Sequence, residues 1–232
     1  MQTNTTFLVG LVLIMGSVLD PQSFAGTITG KVVDTFNRPV SAAIVTLSQE
    51  PASLSKPAPM HGSTSQTAAD GTFSFDGLDA ASYLLCAQVP KGTLLNPCQW
   101  TTALPHATLS SATATTSITL TMRSGYRIPI RVDDPQGLLN IHEGKTPGAH
   151  LLIGIPGGYH FEIADIDSAD AAGRNLSVLV PFDAPVSVAV QSRFFKVQDP
   201  AGNLINKAAA LPVTVSSAAP TSKLNIKVIG NN

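Results

Sequence analysis

Apolar positions come in short runs where Val, Ile, Leu and Phe alternate with Thr, Ser or charged residues, the period-two pattern of a half-buried strand. The runs 27–33 (TITGKVV), 42–47 (AAIVTL), 71–75 (GTFSF), 82–89 (SYLLCAQV), 118–122 (ITLTM) and 126–132 (YRIPIRV) predict strands. So do 150–155, 159–164, 176–181, 186–191, 194–197 and 224–229, and Leu211-Pro212-Val213-Thr214 also reads as strand. After Gly26 no stretch of twelve or more residues carries a clean helical period. The fold class is therefore all-β, with strand density that predicts Greek-key β-sandwiches.

Turn residues refine this picture. Asp70-Gly71, between TSQTAA and TFSF, predicts a hairpin. Phe73 and Phe75 alternate with Thr72 and Ser74, which sends both rings to one core. Residues 48–66 and 101–116 are rich in Pro, Ser, Thr and Ala and read as solvated connections, with an irregular edge strand as the other reading. A faint repeat places a basic residue, then Val, then Asp34, Asp134 or Asp199, followed three residues later by Asn37, Gly137 or Gly202. Asp can cap such a turn, and Asn or Gly accepts the positive φ it needs. The first two copies lie about 100 residues apart, close to the common domain size. The organisation expected is a leader at 1–25, a sandwich at 26–123 and a second, diverged sandwich at 124–232, joined near Ser124-Gly125.

The leader rests on Phe7 to Leu19, one apolar run too short to span a bilayer as a helix of roughly 20 residues. Pro21 follows, with the small residues Ser23 and Ala25 set before a cut at Gly26. This is the layout of a signal peptide and implies a secreted or periplasmic protein, although no Lys or Arg precedes the run. No Cys follows it for lipid attachment, and no later stretch is long enough to cross a membrane. Charged residues make up 12% of the 232 positions and the formal net charge is -1. That balance, without a basic block, argues against a nucleic-acid surface. A hydrophobic fraction of 44% argues against disorder.

Residues 26–89 carry an ordered set: Gly30, Val32, Asp34, Pro39, Val40, Ala43, Val45 and Leu47, then Thr67, Asp70, Gly71, Phe73, Phe75, Gly77, Leu78, Ala80 and Tyr83. The set resembles the carboxypeptidase regulatory-like domain, departing at Asn37 and Ala81, where that family prefers Gly. The resemblance implies a transthyretin-like sandwich for residues 26–123, beside an immunoglobulin-like or transthyretin-like companion. Such domains are mostly structural or binding modules of exported proteins, so it also weighs against catalysis.

Candidate chemistry is sparse. Cys86 and Cys98 in an exported chain predict one disulfide, with Trp100, the only Trp, packed against it. The five His (61, 106, 142, 150 and 160) show no paired metal-ligand spacing. Asp165, Asp167 and Asp170 form the densest acidic cluster and are the candidate ligands for a cation such as Ca²⁺, against a solvated loop neutralised by Arg174. No Ser sits in a G-x-S-x-G elbow. Lys31 has no Asn in a final strand with which to form an isopeptide bond.

The expected function is that of a non-enzymatic binding or structural module at the cell envelope, without a cofactor. Its partner is a polysaccharide or an envelope protein, met at a patch holding Trp100 and His106. The alternative is a hydrolase or metalloenzyme with a site between the two domains.

Overall fold

The computed structural model describes residues 26–50, 62–100, 103–143, 151–156, 161–206, 209–220 and 223–231. The expected leader, 1–25, lies outside them, as do His61, His150, His160 and the side chain of His142. The first half contains β1 (Gly26–Asp34), β2 (Ile44–Gln49), β3 (Gly62–Gln66), β4 (Thr72–Leu78), β5 (Ser82–Gln88), β6 (Leu94–Leu95), α1 (Pro97–Trp100) and β7 (His106–Thr108). A long strand, β8 (Thr115–Asp133), leads to α2 (Leu138–Glu143), β9 (Leu151–Pro156), β10 (Phe161–Ile163) and β11 (Asp165–Asp170). The chain closes with β12 (Gly173–Pro181), β13 (Pro185–Ser192), β14 (Phe195–Gln198), β15 (Leu204–Ile205), β16 (Leu211–Thr214) and β17 (Leu224–Asn231).

The protein is an all-β sandwich structure with two buried clusters. In the first, the sheet β3-β2-β5-β7 covers β4, β1 and the first part of β8. Alternation does the work: Ile28 and Val32 point inward from β1, Val45 and Leu47 from β2, and Tyr83 and Leu85 from β5. Phe73 and Phe75 meet edge to face there, ring centroids 5.9 Å apart, as their spacing predicts. In the second cluster, β10-β9-β13-β16 covers β11-β12-β8-β17-β14-β15.

The two halves share a strand. The runs 118–122 and 126–132, read in the sequence as separate, are one strand of 19 residues. β1 pairs in parallel with Thr115–Met122, β6 pairs with Arg123 and Ser124, and β12 pairs antiparallel with Gly125–Asp133. Leu120 and Met122 enter the first core, and Ile128, Ile130 and Val132 enter the second. The expected junction at Ser124-Gly125 therefore falls inside a continuously paired strand.

Other expectations need correction. Asp70-Gly71 does not join a hairpin: β3 pairs with β2 and β4 with β1, so the turn carries the chain from one sheet to the other. Part of the connection 48–66 is β3, part of 101–116 is β7, and the acidic segment is the paired strand β11. These segments are polar and mostly exposed, so main-chain pairing holds them where burial does not.

The repeat is a real turn. The N–H groups of Asn37, Gly137 and Gly202 donate to the carbonyls of Asp34, Asp134 and Asp199 at 3.0–3.1 Å. All three residues have positive φ, at 60°, 68° and 87°. The Asp34 carboxylate takes the Phe36 and Arg38 N–H groups, and Asp199 takes that of Asn203. The Arg38 side chain hydrogen-bonded to Asp34 holds its carboxyl below the ordinary 3.8, and Asn203 does the same for Asp199.

Several residues of the ordered set have structural roles. Buried Thr67 accepts the Ala43 N–H and donates to the Val40 carbonyl, tying the β1–β2 connection to β3. Tyr83 donates its hydroxyl to the Asp79 carbonyl at 2.9 Å. Gly71, at φ 78°, lies where a Cβ would stand 2.6 Å from the Val32 carbonyl oxygen. These three residues thus help to close the first sandwich.

Candidate functional site

Trp100 and His106 line one groove of about 760 Å³ on the first half. Its lining includes Asn96, Pro97 and Trp100, together with Pro105 and His106. Ile118 to Thr121 and Arg123 of β8 run along it, and Leu95 and Thr35 complete it. His106 Nδ1 lies 3.1 Å from Glu50 Oε2, and both side chains are partly exposed. Among the described residues this is the only His–carboxylate pair.

The Trp100 wall is held from several directions. The predicted disulfide is present: Cys86 of β5 and Cys98 of α1 are bonded, with Cα atoms 5.4 Å apart. The Asn96 side chain accepts the Cys98 N–H at 2.9 Å and caps this short helix. Arg123 Nη2 donates to the Trp100 carbonyl at 2.6 Å. The Trp100 ring is half-buried, and the apolar cluster it packs against is that of the second half.

The same segment seals the junction. The Gly125 N–H donates to the Thr93 carbonyl at 2.7 Å. Arg127 Nε donates to the Gly92 carbonyl at 2.7 Å, while its Nη1 reaches Asp165 Oδ2 at 2.7 Å and Ser177 Oγ at 3.2 Å. One arginine thus joins a first-half loop to two second-half strands. The sequence reading missed Arg123, Arg127, Glu50 and Asn96, because each matters only through a partner far along the chain.

The acidic trio does not converge. Asp165 faces Arg127, Asp170 is bidentate to Arg131 at 2.7 and 3.1 Å, and Asp167 accepts the Ser177 hydroxyl at 3.2 Å. Among the described residues no three His, Cys, Asp or Glu side chains come together as a metal site. The pairs seen involve Arg127 and Arg131; Arg174, the expected counter-ion, is buried. Among the described residues, no helix is long and apolar enough to cross a membrane.

Glu162 beside this network has its carboxyl pushed above the ordinary 4.5 by burial, with Asp165 adding to the rise and Arg127 opposing it. A raised folded value means that the ionised form costs stability at neutral pH, and that the cost fades as pH falls through the raised folded value and is gone below the ordinary 4.5. Glu162→Gln is therefore expected to raise Tm at neutral pH and to give no gain below about pH 4. Thermal melts at the two pH values check this, and an equal gain at both would contradict it.

No family model matches the chain, and no curated protein shows significant similarity to it. Solved structures with some likeness include a streptococcal ancillary pilin, 11% identical over 90% of this chain and 63% of that one, TM-score 0.43. The shaft pilin SpaA of Lactobacillus rhamnosus GG is 11% identical over 90% of this chain and 98% of that one, TM-score 0.34. The pilus 2b backbone protein of group B streptococcus is 16% identical over 43% of this chain and 41% of that one, TM-score 0.32. The chain thus spans less than two thirds of the first and third of these proteins.

Proposed function

We propose that the protein is a non-catalytic binding or structural module of the cell envelope, secreted or periplasmic by way of residues 1–25. Residues 26–123 form a carboxypeptidase regulatory-like sandwich and residues 124–232 a diverged companion. The groove at Trp100 and His106 is its binding face for an envelope polysaccharide or a partner protein. The observation that carries this reading is the groove itself: an aromatic wall, an imidazole and a guanidinium, all on a disulfide-anchored frame. Ligand sites typically occupy about 300–1,000 Å³ and place a few polar groups among apolar ones. A hydrolase or metalloenzyme site between the halves has less support, since residues 92–100 fill that junction and the acids nearby are paired with arginines.

A glycan array and an envelope-extract pull-down, each run with the wild type and His106→Ala, test the reading. His106 is partly exposed, so Ala leaves the melting temperature unchanged. The expected result is a bound glycan or protein whose signal falls at least about tenfold in the variant, the worth of one hydrogen bond whose partner is left unpaired. A ligand held equally well by both proteins would move the site elsewhere.

A further inference from the structure

The groove follows an open strand edge. The Thr27 N–H donates to the Ala114 carbonyl at 3.0 Å, and the Thr116 carbonyl also faces β1, accepting from Thr29 Oγ1. Even-numbered residues of β8 thus turn their main-chain groups toward β1, and Ser117, Thr119 and Thr121 turn theirs the other way. Among the described residues, no strand pairs with β8 on that side until β6 reaches Arg123. The N–H and C=O groups of these three residues have no main-chain partner among the described residues.

Edge strands are normally blunted by charge, proline or a bulge. Two other edges here follow that rule: β11 carries three Asp and a bulge between Ile166 and Ser168, and β16 carries Pro212. From Ser117 to Thr121 the edge has no charge, no proline and no shift of register. Its Ile118–Thr121 stretch is also recessed, lining the groove together with Trp100, Pro105 and His106. A recessed edge suits a single extended strand better than the flat edge of a second sheet.

We infer that this edge takes an extended segment of a partner protein as an added strand, pairing main chain to main chain with Ser117–Thr121. Such pairing is an established mode of peptide recognition. One set of the segment's side chains is apolar, to pack on the partly exposed Trp100 and Ile118. The alternate set is small and polar, to meet the hydroxyls of Thr119 and Thr121. Arg123 has no carboxylate partner among the described residues, so the segment carries an acidic residue at that end. This inference rests on the groove being the binding face.

The test is selection of linear nonapeptides from a random displayed library on the wild-type protein, with counter-selection on Thr119→Pro. The Thr119 N–H makes no internal bond, so proline removes an edge donor without breaking a ladder, and an unchanged far-UV CD spectrum checks folding. The expected peptides alternate apolar and polar residues, carry a terminal acid, change Trp100 emission and bind the variant at least tenfold more weakly. N-methylation at alternate main-chain nitrogens of a selected peptide, a measurement that needs no protein variant, is expected to cost at least as much. Peptides that tolerate both changes, or a selection that yields none, overturn the inference. An oligosaccharide that alters Trp100 emission while no peptide does would overturn it too, yet leave the groove as the binding face. Silence from peptides and oligosaccharides alike would count against both.

Discussion

Replacing Cys86 and Cys98 together by serine is expected to cost about 3 kcal/mol and to red-shift Trp100 emission. The bond links residues 12 apart, and closing a loop of about 15 residues stabilises by about 3 kcal/mol in the chain-entropy account. Both cysteines are buried, so each serine also places a hydroxyl where no water reaches it. The effect extends beyond the loop because α1 carries Trp100, and the Trp100 ring packs on the second core. Urea unfolding followed by fluorescence checks both parts. A loss below about 1 kcal/mol with unmoved emission would mean that the loop holds its place without the bond.

Gly125→Val is expected to be at least as damaging. A Cβ at Gly125 would stand 2.6 Å from the Val180 carbonyl oxygen and 2.8 Å from Leu95. Leu95 is a side chain held by β6, but Val180 belongs to the β12 ladder and its main chain cannot step aside alone. Overpacking typically costs about 1–3 kcal/mol and more where backbone must move, so about 3 kcal/mol or more is expected. Valine suits a strand by propensity, so the penalty reports the close approach of β6, β8 and β12. Equilibrium unfolding measures it; a loss under about 1 kcal/mol would show that the junction has room to spare.

Both effects depend on a feature that one-dimensional pattern hides. The strands with large alternating residues were readable, because Val45, Leu47, Phe73, Phe75 and Leu85 declare a buried face by their spacing. The Asp34, Asp134 and Asp199 turns were readable because capping and positive φ are local requirements. The continuity of β8 was not. Arg123-Ser124-Gly125 looks like a break, and what makes it strand is pairing with Leu94 and Leu95 some thirty residues earlier. Polar β3 and β11 were hidden likewise, since a ladder partner leaves no mark on composition.

The same limit applies to the site. Spacing and compartment pointed to the disulfide, and residue type pointed to Trp100 and His106, which line one groove. The acids Asp165 and Asp170 read as cation ligands because their partners, Arg127 and Arg131, lie 38 and 39 positions away on another strand. The ordered set that resembles a known family led to the sandwich, and Thr67, Gly71 and Tyr83 of that set help to close it.

β8 runs unbroken through both halves and residues 92–100 lock it there, so the groove sits on one rigid frame. Native-state hydrogen exchange at the main-chain amides of Gly125 and Tyr126, where β6 and β12 meet β8, tests this. Protection as deep as that of Val32 and Val178 in the two cores is expected, with exchange only through global unfolding. Fast exchange at these amides while the cores stay protected would mean a hinge between two independent sandwiches, and would contradict it.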